Sequence, residues 1–216
     1  ATGGNMNATA LGLNGGWGGI TVTKEFVNKF EASTRNGNNE PTAWNDKRAM
    51  FHTDGQTFES TDYVKDFTKG GYAVTKFKNI TSTGAAGKDP AKDFPDTDLP
   101  LIRLAEVYLT YAEAVLRGGT GGDRATALGY VNELRTRGYG STAGNIADAD
   151  LTLDFILDER ARELYWEGLR RTDLIRYGKF TNASYLWSFK GGAASGVAVP
   201  DYRNLYPIPS DARAAN

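Results

Sequence analysis

LTLDFILDERARELYWEGLRRTDLIRYGKF, residues 151–180, is the stretch on which the fold turns. Leu153, Ile156, Leu157, Ala161 and Leu164 recur at helical spacing and make one apolar stripe, and Gly168 is the natural break after it. A shorter helix is predicted over residues 170–177, with Leu174 and Ile175 inward and Gly178 as its left-handed terminal residue. Charge fills the remaining positions of both helices. Glu159 and Glu163 lie one turn apart, a spacing that an acid/base pair or a metal site would use. The arginines point elsewhere: Glu159 has Arg162 and Glu163 has Arg160 within one turn, and guanidinium forks hold carboxylates in bidentate pairs. The pattern predicts a structural charge network of Glu159, Arg160, Glu163, Glu167, Arg170, Asp173 and Arg176.

Upstream, residues 101–117 (LIRLAEVYLTYAEAVLR) place Leu101, Leu104, Ala105, Tyr108, Ala112 and Val115 on one helical face, between Pro100 and Gly118-Gly119. Asp123 is positioned to cap a second helix over residues 124–137, with Ala127, Leu128, Val131 and Leu134 inward and Gly138 as its stop. A short glycine-rich turn between two such helices makes an antiparallel αα-hairpin.

The first hundred residues read differently. Residues 1–22 are Gly-, Asn- and Thr-rich loop, Thr23 can cap a short helix carrying Phe26, Val27 and Phe30, and residues 35–45 are polar loop around Pro41. Residues 46–71 give mixed signals, Tyr72 to Phe77 suggest one strand, and residues 82–100 are a second loop. The tail from residue 180 reads as extended, aromatic chain punctuated by prolines. The fold class is therefore mainly α with long irregular loops and little β, organised as a loop-rich, ligand-facing region (1–100) and a helical region (101–216).

Composition excludes several chemistries. The chain has 216 residues, with 25 basic against 26 acidic side chains, and so lacks the electrostatic footprint of a nucleic-acid or anionic-membrane binder. It has no cysteine, hence no disulfide, thiolate metal site or cysteine nucleophile. His52 is the only histidine, which removes two-histidine metal sites, and its surroundings give no triad spacing; an exposed or hydrogen-bonded histidine is the reading preferred to a base. Asp148, Asp150 and Asp154 lack the glycine of a calcium loop and suit a helix N-terminus better. Neither a metal nor a cofactor is expected.

Gly15-Gly16-Trp17-Gly18-Gly19 follows no strand and carries no Lys-Ser/Thr, so it is not a phosphate cradle. Two readings of Trp17 stand side by side. Glycines clear neighbouring side chains and present the indole flat to a sugar or another ring, or they turn the chain so that the indole plugs the core. Trp44 carries the same pair of readings, with core packing ahead. Asn14 and Arg48 are added as polar partners for a glycan, making Trp17, Asn14, Trp44 and Arg48 the candidate ligand-binding set.

The segments DTDLPLIRLAEVYLTYAEAVLRGG, ATALGYVNELRTRGYG, ILDERARELYWEGLRRTDLIRYGKF and LYPIPSDARAAN together resemble the C-terminal part of the SusD/RagB family of Bacteroidetes outer-membrane lipoproteins. The family's R-x-A-E-x-Y-L helix is met by Arg103, Ala105, Glu106, Tyr108 and Leu109. Its E-R-x-x-E-L-x-x-E-G-x-R signature is met by Glu159, Arg160, Glu163, Leu164, Glu167, Gly168 and Arg170, and Y-P-I-P by Tyr206 to Pro209. A looser likeness runs through residues 16–31 and 45–55.

The resemblance implies a SusD-like fold with tetratricopeptide-like helices. It also implies a surface-exposed protein, not an enzyme, that captures oligosaccharides for a SusC-like TonB-dependent transporter, with Trp17 as the ligand platform. Peptide capture by a RagB-like member is the alternative within the family. The N-terminal half of the family fold, with its lipidated cysteine, is expected to lie outside this sequence, so that outer-membrane anchoring would come from beyond it. Two rivals from other classes are a helical-repeat scaffold that binds only protein, and a glycoside hydrolase using loop carboxylates such as Asp54 and Asp96.

Overall fold

The structure, a computed structural model, describes residues 5–16, 18–62, 66–89, 91 and 94–214. Helix predominates. After a 3-10 turn at Thr9–Leu11 come α1 (Lys24–Val27), β1 (Ala32–Arg35), β2 (Pro41–Trp44), β3 (Phe51–His52) and β4 (Ala73–Val74). Then follow α2 (Leu104–Leu116), α3 (Arg124–Tyr139), α4 (Leu153–Leu164), α5 (Arg170–Arg176) and α6 (Ser210–Ala214). One compact unit ends at Gly168 and a second begins at Leu169.

In the first unit α2 packs on both α3 and α4. Asp123 caps α3 by accepting from the Thr126 amide at 2.8 Å, and Thr152 caps α4 by accepting from Phe155. Leu109, Ala112, Ala127, Val131, Ile156, Leu157 and Ala161 are fully or almost fully enclosed between the three helices. Burial of a side chain such as Leu109 contributes about 1.5–3 kcal/mol.

Three details depart from the sequence reading. α2 begins at Leu104, leaving Leu101 and Leu104 exposed, and its buried face is Ala105, Leu109, Ala112 and Glu113. α3 runs through Gly138 to Tyr139 and ends on Gly140, whose φ of 72° is the left-handed terminus expected of a glycine. Residues 35–45 are not all loop, because β1 and β2 pair as an antiparallel hairpin with an irregular register. Its outer strand is polar and mostly exposed, so no apolar alternation announces it.

The β3–β4 pair is two residues long on each strand and joins Phe51 to Val74. Beneath it lies an aromatic cluster in which Val22, Val27, Phe30, Tyr72, Val74 and Tyr165 are buried, with Phe26, Trp44, Ala49, Phe51 and Phe58 packed against them. Tyr165 belongs to the chain leaving α4, so this cluster fastens the loop-rich region to the helices.

In the second unit α5 closes on Gly178, and the tail carries 3-10 turns at Lys190–Gly192 and Asp201–Asn204 before α6. It is thus less extended than its prolines suggest. Lys190 is buried and donates to the Asn182 and Tyr185 carbonyls at 2.7 Å, drawing a loop around one ammonium.

Candidate functional site

Two features compete for function in the first unit: a seam of buried charge along α4 and an exposed loop face that includes residues 14–16 and Ile20. The seam is built from Glu159, Glu163 and Glu167, spaced so that one side of α4 and the turn after it present three carboxylates to the rest of the unit. Glu159, fully buried, accepts from Arg48, Arg135 and Arg162 at 2.6–2.8 Å. Glu163 accepts from Arg48 at 3.0 Å and from Arg103 and Arg137 at 2.5 Å. Glu167 is paired with Arg103 at 2.7 Å and Lys76 at 2.5 Å.

The helix end explains the last pairings. An α-helix leaves its final carbonyls without partners. Here Lys76 Nζ donates to the Glu163 and Tyr165 carbonyls at 3.0 and 2.8 Å, and Arg103 donates to the Glu163 carbonyl at 2.7 Å. Cations at this end also oppose the helix dipole. Trp166 then takes a φ of 63°, an unusual conformation for a bulky residue, and the turn brings Glu167 back onto the same two cations.

Electrostatics follow from this packing. Burial pushes the Glu163 carboxyl upward, but hydrogen bonds from Arg137 and Arg103 and the charge of Arg48 prevail and hold it down to about 2. Glu159 is likewise lowered, its burial outweighed by Arg162, Arg48 and Arg135. Glu167 is lowered by Arg103 and Lys76 against the same burial cost. Lys76 is lowered chiefly by its burial. These carboxylates stay ionised and enclosed by guanidinium groups, which suits them to holding the fold and not to delivering protons.

Arg48 sits at the centre of the seam. Only 8% exposed, it gives Nε and Nη2 to the two oxygens of Asp46 and Nη1 to Glu159 and Glu163. The loop carrying Asp46 and Arg48 can approach α3 because Gly138 has no side chain. A Cβ there would lie 2.6 Å from Arg48 Nε and 3.0 Å from Asp46 Oδ1. The backbone closes the same contact, Lys47 N donating to the Gly138 carbonyl at 2.8 Å. Gly138 is a close-approach residue inside the helix and does not stop it.

The remaining sequence candidates are distributed as follows. Trp44 is half-buried in the aromatic cluster, edge-on to Phe51 at 5.1 Å, and its indole N–H is buried without a hydrogen-bond partner among the described residues. Asn14 is exposed and its side-chain amide donates to the Ala91 carbonyl. Trp17 lies outside the described residues. Arg160 reaches toward Glu106 at 3.9 Å and donates to Thr110 of α2, while Glu163 is held by three arginines from outside its own helix. Arg170, Asp173 and Arg176 belong to the second unit, where Asp173 pairs with Arg176 at 2.8 Å and Arg170 donates to the Tyr185 hydroxyl.

His52 is half-buried in β3, and its Nε2 is enclosed without a hydrogen-bond partner among the described residues, so it is neither exposed nor satisfied at that atom. Asp96 accepts from the Lys88 amide within its own loop. Among the described residues no group of three or more His, Asp or Glu side chains is placed to hold a metal ion, and no helix is long and apolar enough to cross a membrane.

Sequence reasoning passed over Asp46, Lys76, Arg135 and Arg137. The partners of Lys76, Arg135 and Arg137 lie far away along the chain, and Asp46, only two residues from its partner Arg48, sits in a loop that no local pattern marks. It also passed over the loop face's exposed apolar side chains. Phe67 is 58% exposed and its ring lies against Gly19, Ile20 beside it is exposed, and Phe94 is exposed in the loop that Asn14 touches. A cavity of about 400 Å³ opens on the seam, with Arg48, Lys76, Arg103 and Arg137 among its polar walls and Phe77 and Tyr165 among its apolar ones.

Comparison with known proteins places this architecture. The model of the SusD family matches residues 2–216. The chain is 43% identical over 167 residues to the starch-binding protein SusD of Bacteroides thetaiotaomicron, covering 76% of this chain and 28% of that protein. It is 36% identical over 89 residues to the SusD-like protein P38 of Formosa agariphila, covering 39% of this chain and 18% of that one. A SusD superfamily protein from Bacteroides vulgatus superposes with a TM-score of 0.54 at 29% identity, over 79% of this chain and 34% of its own. Another, from Bacteroides thetaiotaomicron, gives 0.53 at 28% identity, over 79% and 35%. The chain therefore spans less than a third of the curated relatives it matches.

Proposed function

The chain belongs to the SusD family, and from that premise we propose that it is the C-terminal portion of a surface-exposed, lipid-anchored glycan-binding protein of an outer-membrane uptake system. In this role it captures oligosaccharides and passes them to a SusC-like TonB-dependent transporter. The observation that carries the reading is the 43% identity to a starch-binding protein, which extends over three quarters of this chain.

Capture needs no covalent step. An indole or phenyl face stacks on the C–H face of a sugar, and side-chain amides hydrogen-bond its hydroxyls. Trp17 in its ring of glycines is the platform in this proposal, with Asn14 as a polar partner and the exposed Phe67 ring against Gly19 as a second apolar surface. Trp44 and Arg48 contribute indirectly: they pack the aromatic cluster and the charge seam that hold the loop-rich region in place.

The test is calorimetric titration of the full-length protein with a panel of neutral and acidic oligosaccharides and peptides, before and after Trp17→Ala. A stacked indole contributes enough that its loss should weaken glycan binding at least about tenfold. Unchanged affinity would remove Trp17 from the site, and retention of peptides alone would move the protein to the peptide-binding side of the family.

A further inference from the structure

The charge seam contains more cation than it can neutralise. Asp46, Glu159, Glu163 and Glu167 are the carboxylates that Arg48, Lys76, Arg103, Arg135, Arg137 and Arg162 share. Yet the whole chain is almost electrically balanced, with a formal net charge of −1. The excess is concentrated at one place, the cavity of about 400 Å³, whose only carboxylates are Glu163 and Glu167 among the described residues.

Most of those cations are fully occupied. Lys76 directs its ammonium to two carbonyls and Glu167, and Arg103 directs Nε, Nη1 and Nη2 to Glu163 and Glu167. Two wall residues differ. Arg137, with its side chain 57% exposed, gives only Nη2 to Glu163, and Lys47 is exposed with no side-chain ion pair or hydrogen bond among the described residues. Both come from segments that meet at Gly138, where the Asp46–Arg48 loop touches α3, so the Lys47 ammonium and the remaining N–H groups of Arg137 belong to one wall. The rest of the wall includes the apolar surfaces of Met50, Phe77 and Tyr165. A volume of this size holds a single sugar ring, and this pairing of an apolar wall with one exposed ammonium and one partly paired guanidinium suits a ring that bears an anionic substituent.

We propose that this cavity binds an acidic sugar residue, its carboxylate or sulfate held by Lys47 and Arg137 and its ring lying against the apolar wall. The assignment to a sugar, though not the assignment to an oxyanion, rests on the glycan-capture reading above. The described residues of this wall do not include Asn14, Ile20 or Phe67 of the loop face, so a glycan carrying acidic branches would be held at both places.

Isothermal titration of the full-length protein with glucuronate, glucose 6-sulfate, glucose and inorganic sulfate separates the components. The expected result is that both acidic sugars bind at least about tenfold more tightly than glucose and weaken as salt is raised. Lys47→Gln alone should weaken them severalfold, and Lys47→Gln with Arg137→Gln at least tenfold. Binding of neutral oligosaccharides should stay unchanged, and the thermal midpoint of Lys47→Gln should match the parent, because that side chain is exposed and makes no ion pair or hydrogen bond among the described residues. If acidic sugars bind no better than glucose, or are indifferent to both variants, the proposal is overturned. Inorganic sulfate binding without either acidic sugar would overturn the sugar assignment. If acidic sugars bind at the cavity while no oligosaccharide of the neutral panel binds, the cavity stands and the Trp17 platform falls.

Discussion

The helical layer of α2, α3 and α4 and the loop-rich region before it are held together by different means. The helices are specified locally: caps, apolar stripes and terminal glycines lie within a few residues of what they determine. The region before residue 100 has short strands and little periodicity, and it takes its shape from a few distant anchors. Arg48 reaches Glu159 and Glu163, Lys76 reaches the end of α4, and the Tyr165 hydroxyl donates to the Arg48 carbonyl at 2.7 Å. A loop face can thus be positioned without secondary structure of its own, provided that its anchors are buried and multiply bonded.

Removing the central anchor should have the largest effect. Glu159→Ala leaves Arg48, Arg135 and Arg162 facing one another without their shared carboxylate, and breaking a buried pair in this way costs about 3–5 kcal/mol. Chemical denaturation should show that loss.

Protonation breaks the same junction reversibly. The folded-state pKa of Glu163 is depressed to about 2, below its unfolded value, so its contribution is present above the unfolded pKa and is lost as pH falls through the folded one. Glu159 and Glu167 shift in the same direction. Stability measured by urea melts should decline between about pH 5 and pH 2, with Glu163 alone accounting for about 3 kcal/mol across that range. A protein equally stable at both ends would show that the seam does not hold the regions together.

A smaller change sharpens the comparison. Gly138→Ala should favour the helix by up to about 1 kcal/mol on propensity, but its Cβ meets an Arg48 side chain fixed at both ends of its guanidinium. The clash should prevail, giving a net loss of about 1–3 kcal/mol by thermal unfolding. The smallest effect belongs to a pair outside the junction. Lys24 and Glu59 pair at the surface with side chains 33% and 48% exposed, so Lys24→Gln should change stability by no more than about 1 kcal/mol.

The same contrast explains what could be read from the sequence. Asp123 and the stripe Ile156, Leu157, Ala161, Leu164 were legible because their partners are near neighbours. Gly138 was misread as a terminator because its true constraint, the Arg48 side chain, comes from a loop ninety residues earlier in the chain. The β1–β2 hairpin was missed because an exposed polar strand carries no apolar alternation. Glu159, Glu163 and Glu167 were recognised as network members, but only Arg162 could be paired correctly from spacing. Arg135 and Arg137 come from another helix, and Arg48 from a loop. At the loop face, Asn14 could be named from its residue type, whereas the exposure of Phe67 depends on the surrounding fold.

The account divides labour between a seam that positions and a face that binds. For neutral oligosaccharides, measuring both the thermal midpoint and the affinity of two variants of the full-length protein tests that division directly. Gly138→Ala should lower the midpoint and leave affinity unchanged below the transition, while Trp17→Ala should weaken binding and leave the midpoint in place. The reverse pattern, with Gly138→Ala abolishing binding at full stability or Trp17→Ala unfolding the protein with affinity retained, would contradict it.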